Sequence, residues 1–478
     1  MRAVPRRKVA PILLLIIAAA AVARLLWLDL MEFKADEAEA CRLALHALGH
    51  SEPGVGKYFP TSGTVSSLGF SFPPLFIYVL ALPLAIGRNP VAAAGFIAVT
   101  NVVAVWLSYV AGRLYFSARV GLISAALFAL SPWAIVYSRK IWAPNLLPIC
   151  SCLFLIALHA FLVERRPRAA LWLVLLVGVA FQFHFSAGLL AVLVAAAFVI
   201  GRDTLRWRYL AIGFGGVAVL YAPYIWYIVV EGYVYEASPS PGLSAAGRFL
   251  TSLRDTLTVG SDDRISHLLG AHSATAFPVS LAFGIVSAAG LAASCRGWRA
   301  GRLAQARALL ALWFILPLVA LTVLPIKPQG HYFIILYPLP FFGMAVVLQA
   351  ICQRWAPIGS FALAGSLAMF ALWDAQLFRT VDRDGGAPGE YGIAYKYKAE
   401  AVKSFVRHNS HRRFEFRGVP DAAEYRFLEW NARGAVAKPL LPPVTRYVVS
   451  AAFNTRPHRL ARDQEQFGPL QVTAVPLG

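Results

Sequence analysis

Apolar runs long enough to cross a bilayer recur about eleven times along this chain, and no other feature limits its fold so strongly. They lie near residues 10–30, 91–112, 120–137, 144–163, 169–184, 186–201, 209–230, 276–294, 306–325, 332–351 and 356–373. The runs 169–184 and 186–201 form one apolar block broken by QFHFS. A single span of that length would overshoot the bilayer, so the block reads as two short helices with a turn at His184. Of the 478 residues, 58% are hydrophobic and 14% charged, more apolar surface than a soluble domain can bury. The opening MRAVPRRKVAPILLLIIAAAAVA mimics a signal peptide, with Ala21-Val22-Ala23 as its cleavage site. Apolar character nevertheless continues through Leu25, Leu26 and Trp27, which favours an uncleaved anchor.

The net charge is +20, which in a soluble protein would suggest nucleic acid. Its distribution argues otherwise. Taking the short run 73–87, interrupted by Pro83, as an interfacial or re-entrant segment leaves one set of loops strongly basic. Segments 2–8, 113–119, 165–168, 202–208, 296–307 and position 354 hold 17 Lys and Arg, whereas 138–143, the turn near 185 and 326–331 hold only Arg139, Lys140 and Lys327. Positive residues collect on the cytoplasmic side, which places the amino terminus inside and requires no nucleic-acid partner. Three longer polar regions then fall outside: 31–72, 231–275 and 374–478. The expected organisation is therefore a membrane domain, 1–373, and a small extracytoplasmic α+β domain, 374–478, containing strand-like runs such as TRYVVSAAF. The five cysteines show no metal-ligand spacing and no disulfide framework.

The spans are nearly free of ionisable residues, unlike the ion pathways of many transporters. Instead, the unusual polar groups share the outer face. Asp36 and Glu37 follow the first span, Arg139 and Lys140 end the third, His184 lies in a short turn, and Lys327, His331 and Tyr332 precede the tenth. Each has a bland explanation. Asp36 suits a helix amino terminus, Arg139 and Lys140 can snorkel, His184 can be a satisfied polar residue between helices, and Tyr332 fits an interfacial belt. Together they suit transfer from a phosphorylated lipid to a hydroxyl. A carboxylate acts as general base on the acceptor, and cations hold the phosphate as charge develops on it. One strong acid pair fits inversion better than a two-carboxylate retaining mechanism.

The Asp-Glu pair after the first span, then FPPLFIYVLAL, ALSPWAIVYSRKIWAPNLLP and GHYFIILYPLP, together resemble the GT-C membrane glycosyltransferases. The similarity runs through roughly residues 10–350 and points to the protein O-mannosyltransferase and lipid A aminoarabinose transferase group. It implies a multispan inner-membrane enzyme using a polyprenyl-phosphate sugar, with Asp36 as catalytic base and Glu37 beside it. It also places Pro73, Pro74 and Leu75 in the juxtamembrane part of the first outer loop. Relatives often carry His or Lys just before those prolines, where this chain has Phe72. The tail GEYGIAYKYKAEAVKSFV, from Gly389, is similar to bacterial members. Metal use varies among such enzymes, so a divalent metal stays open.

The resulting expectation is a periplasmic-face glycosyltransferase. Asp36 and Glu37 are catalytic, and Arg139, Lys140, His184, Lys327, His331 and Tyr332 bind substrate. Its partners would be a polyprenyl-phosphate sugar donor, an envelope lipid, polysaccharide or protein acceptor, and membrane lipid. The competing readings are a lipid or polysaccharide transporter and a non-catalytic envelope protein. Sugar, acceptor and oligomeric state are not encoded in any motif.

Overall fold

A computed structural model describes residues 6–50, 58–66, 69–232, 242–258, 268–269, 273–384, 391–408, 415–417, 423–433, 445–451 and 464–476. Residues 233–241, 259–267 and 270–272 of the expected outer loop 231–275 lie outside them, as do residues 51–57 and 67–68 of the first loop. Among the described residues, six helices are long and apolar enough to cross a membrane, or eight if each bent pair counts as one span. Four shorter apolar helices of 10–17 residues accompany them. The sequence expectation of about eleven spans therefore requires three of those shorter helices to cross as well.

The first is α1 (Arg6–Leu25), followed by the polar helix α2 (Ala35–Ala47) and the short α3 (Leu75–Ile86). With 12 residues, α3 extends only about 18 Å, too short to span. It buries Phe76, Ile77, Leu80 and Leu84 and packs against α2. Next come α4 (Pro90–Tyr115), α5 (Ala118–Leu130) and α6 (Pro132–Ser138). Helices α5 and α6 bend by 63° at Ser131, because Pro132 supplies no N–H and its ring disfavours helix in the preceding residue. A Cβ on Gly112 of α4 would lie 2.8 Å from the Gly121 backbone of α5, so only glycine permits this close helix contact.

Helices α7 (Leu147–Leu162), α8 (Ala169–Phe183), α9 (Leu189–Ile200) and α10 (Trp207–Trp226) follow. The break between α8 and α9 falls at His184, as the apolar block implied. Much of α10 is exposed, including Phe214 and Val219, as a surface facing lipid requires. The remaining membrane helices are α12 (Ser273–Ser294), α13 (Arg302–Val323), α14 (Leu339–Arg354) and α15 (Ala356–Asp384), with α11 (Ala245–Leu257) before them. A tight turn of helix, Gly330–Leu336, precedes α14 and is bent from it by 59°.

The expected division at 374 falls inside α15, which continues to Asp384 because DAQLFRTVDRD contains no helix breaker. Beyond it, α16 (Tyr395–His408) and α17 (Ala423–Arg433) accompany four short strands. These are β1 (Glu415–Arg417), β2 (Thr445–Ala451), β3 (Gln464–Phe467) and β4 (Leu470–Pro476), in sheet order β1-β2-β4-β3. The β1–β2 pair is parallel and the other two pairs are antiparallel. The first seven residues of TRYVVSAAF form β2.

Candidate functional site

The segment after α1 carries more acid and base than the Asp36-Glu37 pair alone. Glu37 sits at the third position of α2 and its Oε2 accepts the Lys34 N–H at 2.8 Å. Glu37 is thus the residue that caps the helix. Asp36, one position earlier, stays exposed. Glu37 itself is fully buried and meets Lys140 Nζ through Oε1 at 3.2 Å. Lys140 also pairs with Glu32 Oε2 at 2.9 Å, and Lys34 closes on the other Glu32 oxygen.

Two lysines against one carboxylate hold Glu32 below the ordinary carboxylate range, although burial opposes them. Burial raises Glu37 instead, helped by Glu32 and Asp36 and only partly offset by Lys140. Burial would lower Lys140, yet the two glutamates raise it, so its ammonium is permanently charged. The sequence reading missed Glu32 and Lys34. The only available signal was the density of charge in MEFKADE, which an interfacial collar would show equally.

Arg139, adjacent to Lys140, requires a correction. Expected to meet substrate, it is buried and donates to the backbone oxygens of Ala23, Arg24, Leu26 and Trp27. It therefore caps the carbonyls at and just beyond the carboxy terminus of α1. Trp27 adopts a left-handed φ of 51° at this helix end, and the guanidinium holds it there. The guanidinium also lies 4.7 Å from the Phe378 ring centroid of α15. Arg24 does the same for another helix, donating to Ala129 and Phe128 oxygens of α5 at 2.7 and 3.0 Å.

A second cluster gathers His184, His331 and Tyr332. The His184 ring lies 5.4 Å from His331 and 5.1 Å from Tyr332. His331 stands 4.5 Å from Trp142, and the Lys140 ammonium lies 4.7 Å over that same indole. Trp142 therefore joins the acid end of the site to its histidine end, a residue the sequence reading passed over. Phe72, immediately before Pro73, lies 6.1 Å from His184, so the position before the prolines faces this cluster. Gln182 places the prolines: its Oε1 accepts Leu75 N–H at 3.3 Å while its Nε2 donates to Leu220 O at 3.1 Å.

The Ser186 N–H donates to His184 Nδ1 at 3.2 Å, which leaves the proton of the neutral ring on Nε2. Burial pushes His184 down to about 3, so it offers a neutral donor and no cationic charge. Lys327, four residues before His331, is exposed and forms no salt bridge among the described residues. Also among the described residues, no group of three His, Cys, Asp or Glu side chains could hold a metal ion.

The carboxy-terminal segment seats on the acid-bearing stretch 30–33. Tyr391 Oη donates to Leu30 O at 2.7 Å, Tyr395 N to Met31 O at 2.9 Å, and Lys398 Nζ to Phe33 O at 2.7 Å. Glu32 forms an antiparallel bridge with Ala394. Buried Lys398 also pairs with Glu424 of α17 at 3.1 Å.

Residues 71–227 match the family model of dolichyl-phosphate-mannose-protein mannosyltransferase. No curated protein sequence matches the chain. Among solved structures, ArnT from Cupriavidus metallidurans in the apo state has a TM-score of 0.56 at 14% identity, covering 96% of this chain and 97% of that one. The same protein bound to undecaprenyl phosphate has a TM-score of 0.55 at 15% identity, with the same coverage. The apo oligosaccharyltransferase of Archaeoglobus fulgidus has a TM-score of 0.48 at 14% identity; 89% of this chain covers 60% of that longer one. With the family match through the Pro-Pro-Leu, Lys140 and His184 segments and the ArnT fold over nearly the full length, this chain shares the fold of the GT-C membrane glycosyltransferases.

Proposed function

We propose that this protein transfers a sugar, with inversion, from a polyprenyl-phosphate donor to a hydroxyl of an envelope acceptor. The observation that carries the reading is convergence. The α2 amino terminus, the 140–142 segment, the His184 turn and the 331–332 turn lie far apart in sequence, yet linked ion pairs and ring contacts bring them together. The ArnT structure that shares this fold was solved with undecaprenyl phosphate bound, which supports a lipid-phosphate donor.

In this reading Asp36 is the general base. It is the acid of the cluster left exposed, whereas Glu32 and Glu37 are buried against lysines. The base removes the acceptor proton as its oxygen attacks the anomeric carbon, and the lipid phosphate departs with the bonding electrons. Lys327 and His331 receive the phosphate, His184 donates a neutral hydrogen bond, and Tyr332 lines the donor pocket. Lys140 positions the acids. Arg139 is left out of the contact set for the geometric reason above. The amino terminus is cytoplasmic, the site faces the periplasm of the inner membrane, and the segment after α15 acts as an outer domain braced on the acid loop.

Mass spectrometry of envelope glycans and lipids from a deletion strain tests the reading. It predicts one missing sugar modification that the wild-type gene restores. An unchanged envelope profile, with a lipid or polysaccharide trapped on the inner leaflet, would overturn it in favour of transport.

A further inference from the structure

A cleft separate from the histidine cluster opens where α1 ends and α15 approaches its carboxy terminus. It encloses about 440 Å³ and is lined by Trp27, Asp29, Leu30, Ala375, Phe378, Arg379, Asp382 and Lys396, within the usual size of a ligand site. Four α15 positions in this lining, Ala375, Phe378, Arg379 and Asp382, fall at intervals of three and four residues, so they form one stripe. That stripe changes from apolar to charged along the helix. Half-exposed Trp27 stands opposite Phe378, with ring centroids 6.0 Å apart. Arg139 fixes Phe378 from behind.

The charged end of the cleft holds two acids, Asp29 and Asp382, and two bases, Arg379 and Lys396. Their only mutual salt bridge, Lys396 to Asp382, is 3.7 Å long. Arg379 and Asp29 form none among the described residues. An apolar floor beneath balanced opposite charges, at the end of two membrane helices, matches an amphiphile whose head carries both an ammonium and a phosphate. A purely anionic head would meet two carboxylates.

We propose that this cleft binds the headgroup of a zwitterionic phospholipid of the surrounding leaflet. Its phosphate meets Arg379 and Lys396, its amine meets Asp29 and Asp382, and its upper acyl segments lie along Phe378 and Ala375. Leu30 lines the cleft while its carbonyl accepts Tyr391 Oη. Bound lipid would therefore brace the same stretch that leads to Asp36.

The test is native mass spectrometry of the full-length protein released from micelles containing equal amounts of phosphatidylethanolamine and phosphatidylglycerol. The wild type should retain phosphatidylethanolamine several-fold over phosphatidylglycerol. The double variant Asp29→Asn/Arg379→Gln should lose that preference, and Arg379→Lys should keep it. Equal retention of the two lipids by the wild type overturns the proposal without need of any variant. So does a preference that survives intact in the folded double variant. Neither outcome depends on sugar transfer, so the glycosyltransferase reading stands or falls separately.

Discussion

The two ends of the candidate site are held together by different physics. At the acid end, buried Glu32 and Glu37 are linked to partly exposed Lys34 and Lys140 in a network of alternating charge. At the histidine end, His184, Phe72, Trp142, His331 and Tyr332 meet mainly through ring contacts, and His184 is neutral. Ion pairs fix position strongly but consume the charge they use. Ring packing fixes position while leaving polar edges available. The contrast assigns different duties to residues that look alike in sequence. In the proposed reading, the ion-paired charges build the site, and the exposed Asp36 and Lys327 are the groups offered to substrate.

Breaking the acid end should have the largest effect on the fold. Among the described residues, Lys140→Met leaves buried Glu37 with no cation and Glu32 with Lys34 alone, and losing one partner of a buried pair costs about 3–5 kcal/mol. A large fall in thermal midpoint, partly recovered by adding Glu37→Gln, is expected in detergent-solubilised protein. Full additivity of the two substitutions would show that the residues are not coupled. Arg139→Lys should cost less, about 1–3 kcal/mol, because an ammonium cannot reach all four carbonyls of residues 23–27 as the planar guanidinium fork does. Donor KM per folded enzyme should not move. A raised KM would return Arg139 to the phosphate.

At the other end, Lys327→Ala should raise donor KM several-fold with little change in kcat, since an exposed cation contributes to binding more than to fold. An unchanged KM would leave the phosphate without that contact. The smallest effect concerns pH. Glu37 has a raised folded value, so stability linked to it is present at low pH and declines as pH rises through that value. Glu37→Gln removes the titration, so its thermal midpoint relative to wild type should climb as pH increases from the ordinary carboxylate range. Parallel curves for the two proteins would remove Glu37 as the titrating group.

Hydropathy made much of the architecture legible before any coordinates. The α8–α9 break at His184 followed from the length of one apolar block, and the shortness of α3 followed from the brevity of the run 73–87, although Pro83 lies inside the helix and does not interrupt it. The span count was less legible, because Pro132 and the Pro338 region bend helices without interrupting their apolar character. Within the site, sequence order could bring His184, His331 and Tyr332 to one level, since each sits in a short turn. It could not separate Arg139 from Lys140. Two adjacent basic residues look equivalent until the end of α1 claims one and the buried glutamates claim the other. Glu32 and Trp142 were invisible for a related reason, because their roles depend on what they touch. The tail's grip on residues 30–33 likewise joins segments some 360 positions apart, beyond any local pattern.

The central claim is that Asp36 performs the chemistry while its neighbours hold it in place. The direct measurement is the amount of transferred sugar on the envelope of a deletion strain complemented with Asp36→Asn, at membrane protein levels equal to wild type. Loss of a general base predicts a fall on the order of 10²–10⁴-fold in rate, leaving the modification undetectable. Wild-type levels of the sugar in that strain would contradict the account.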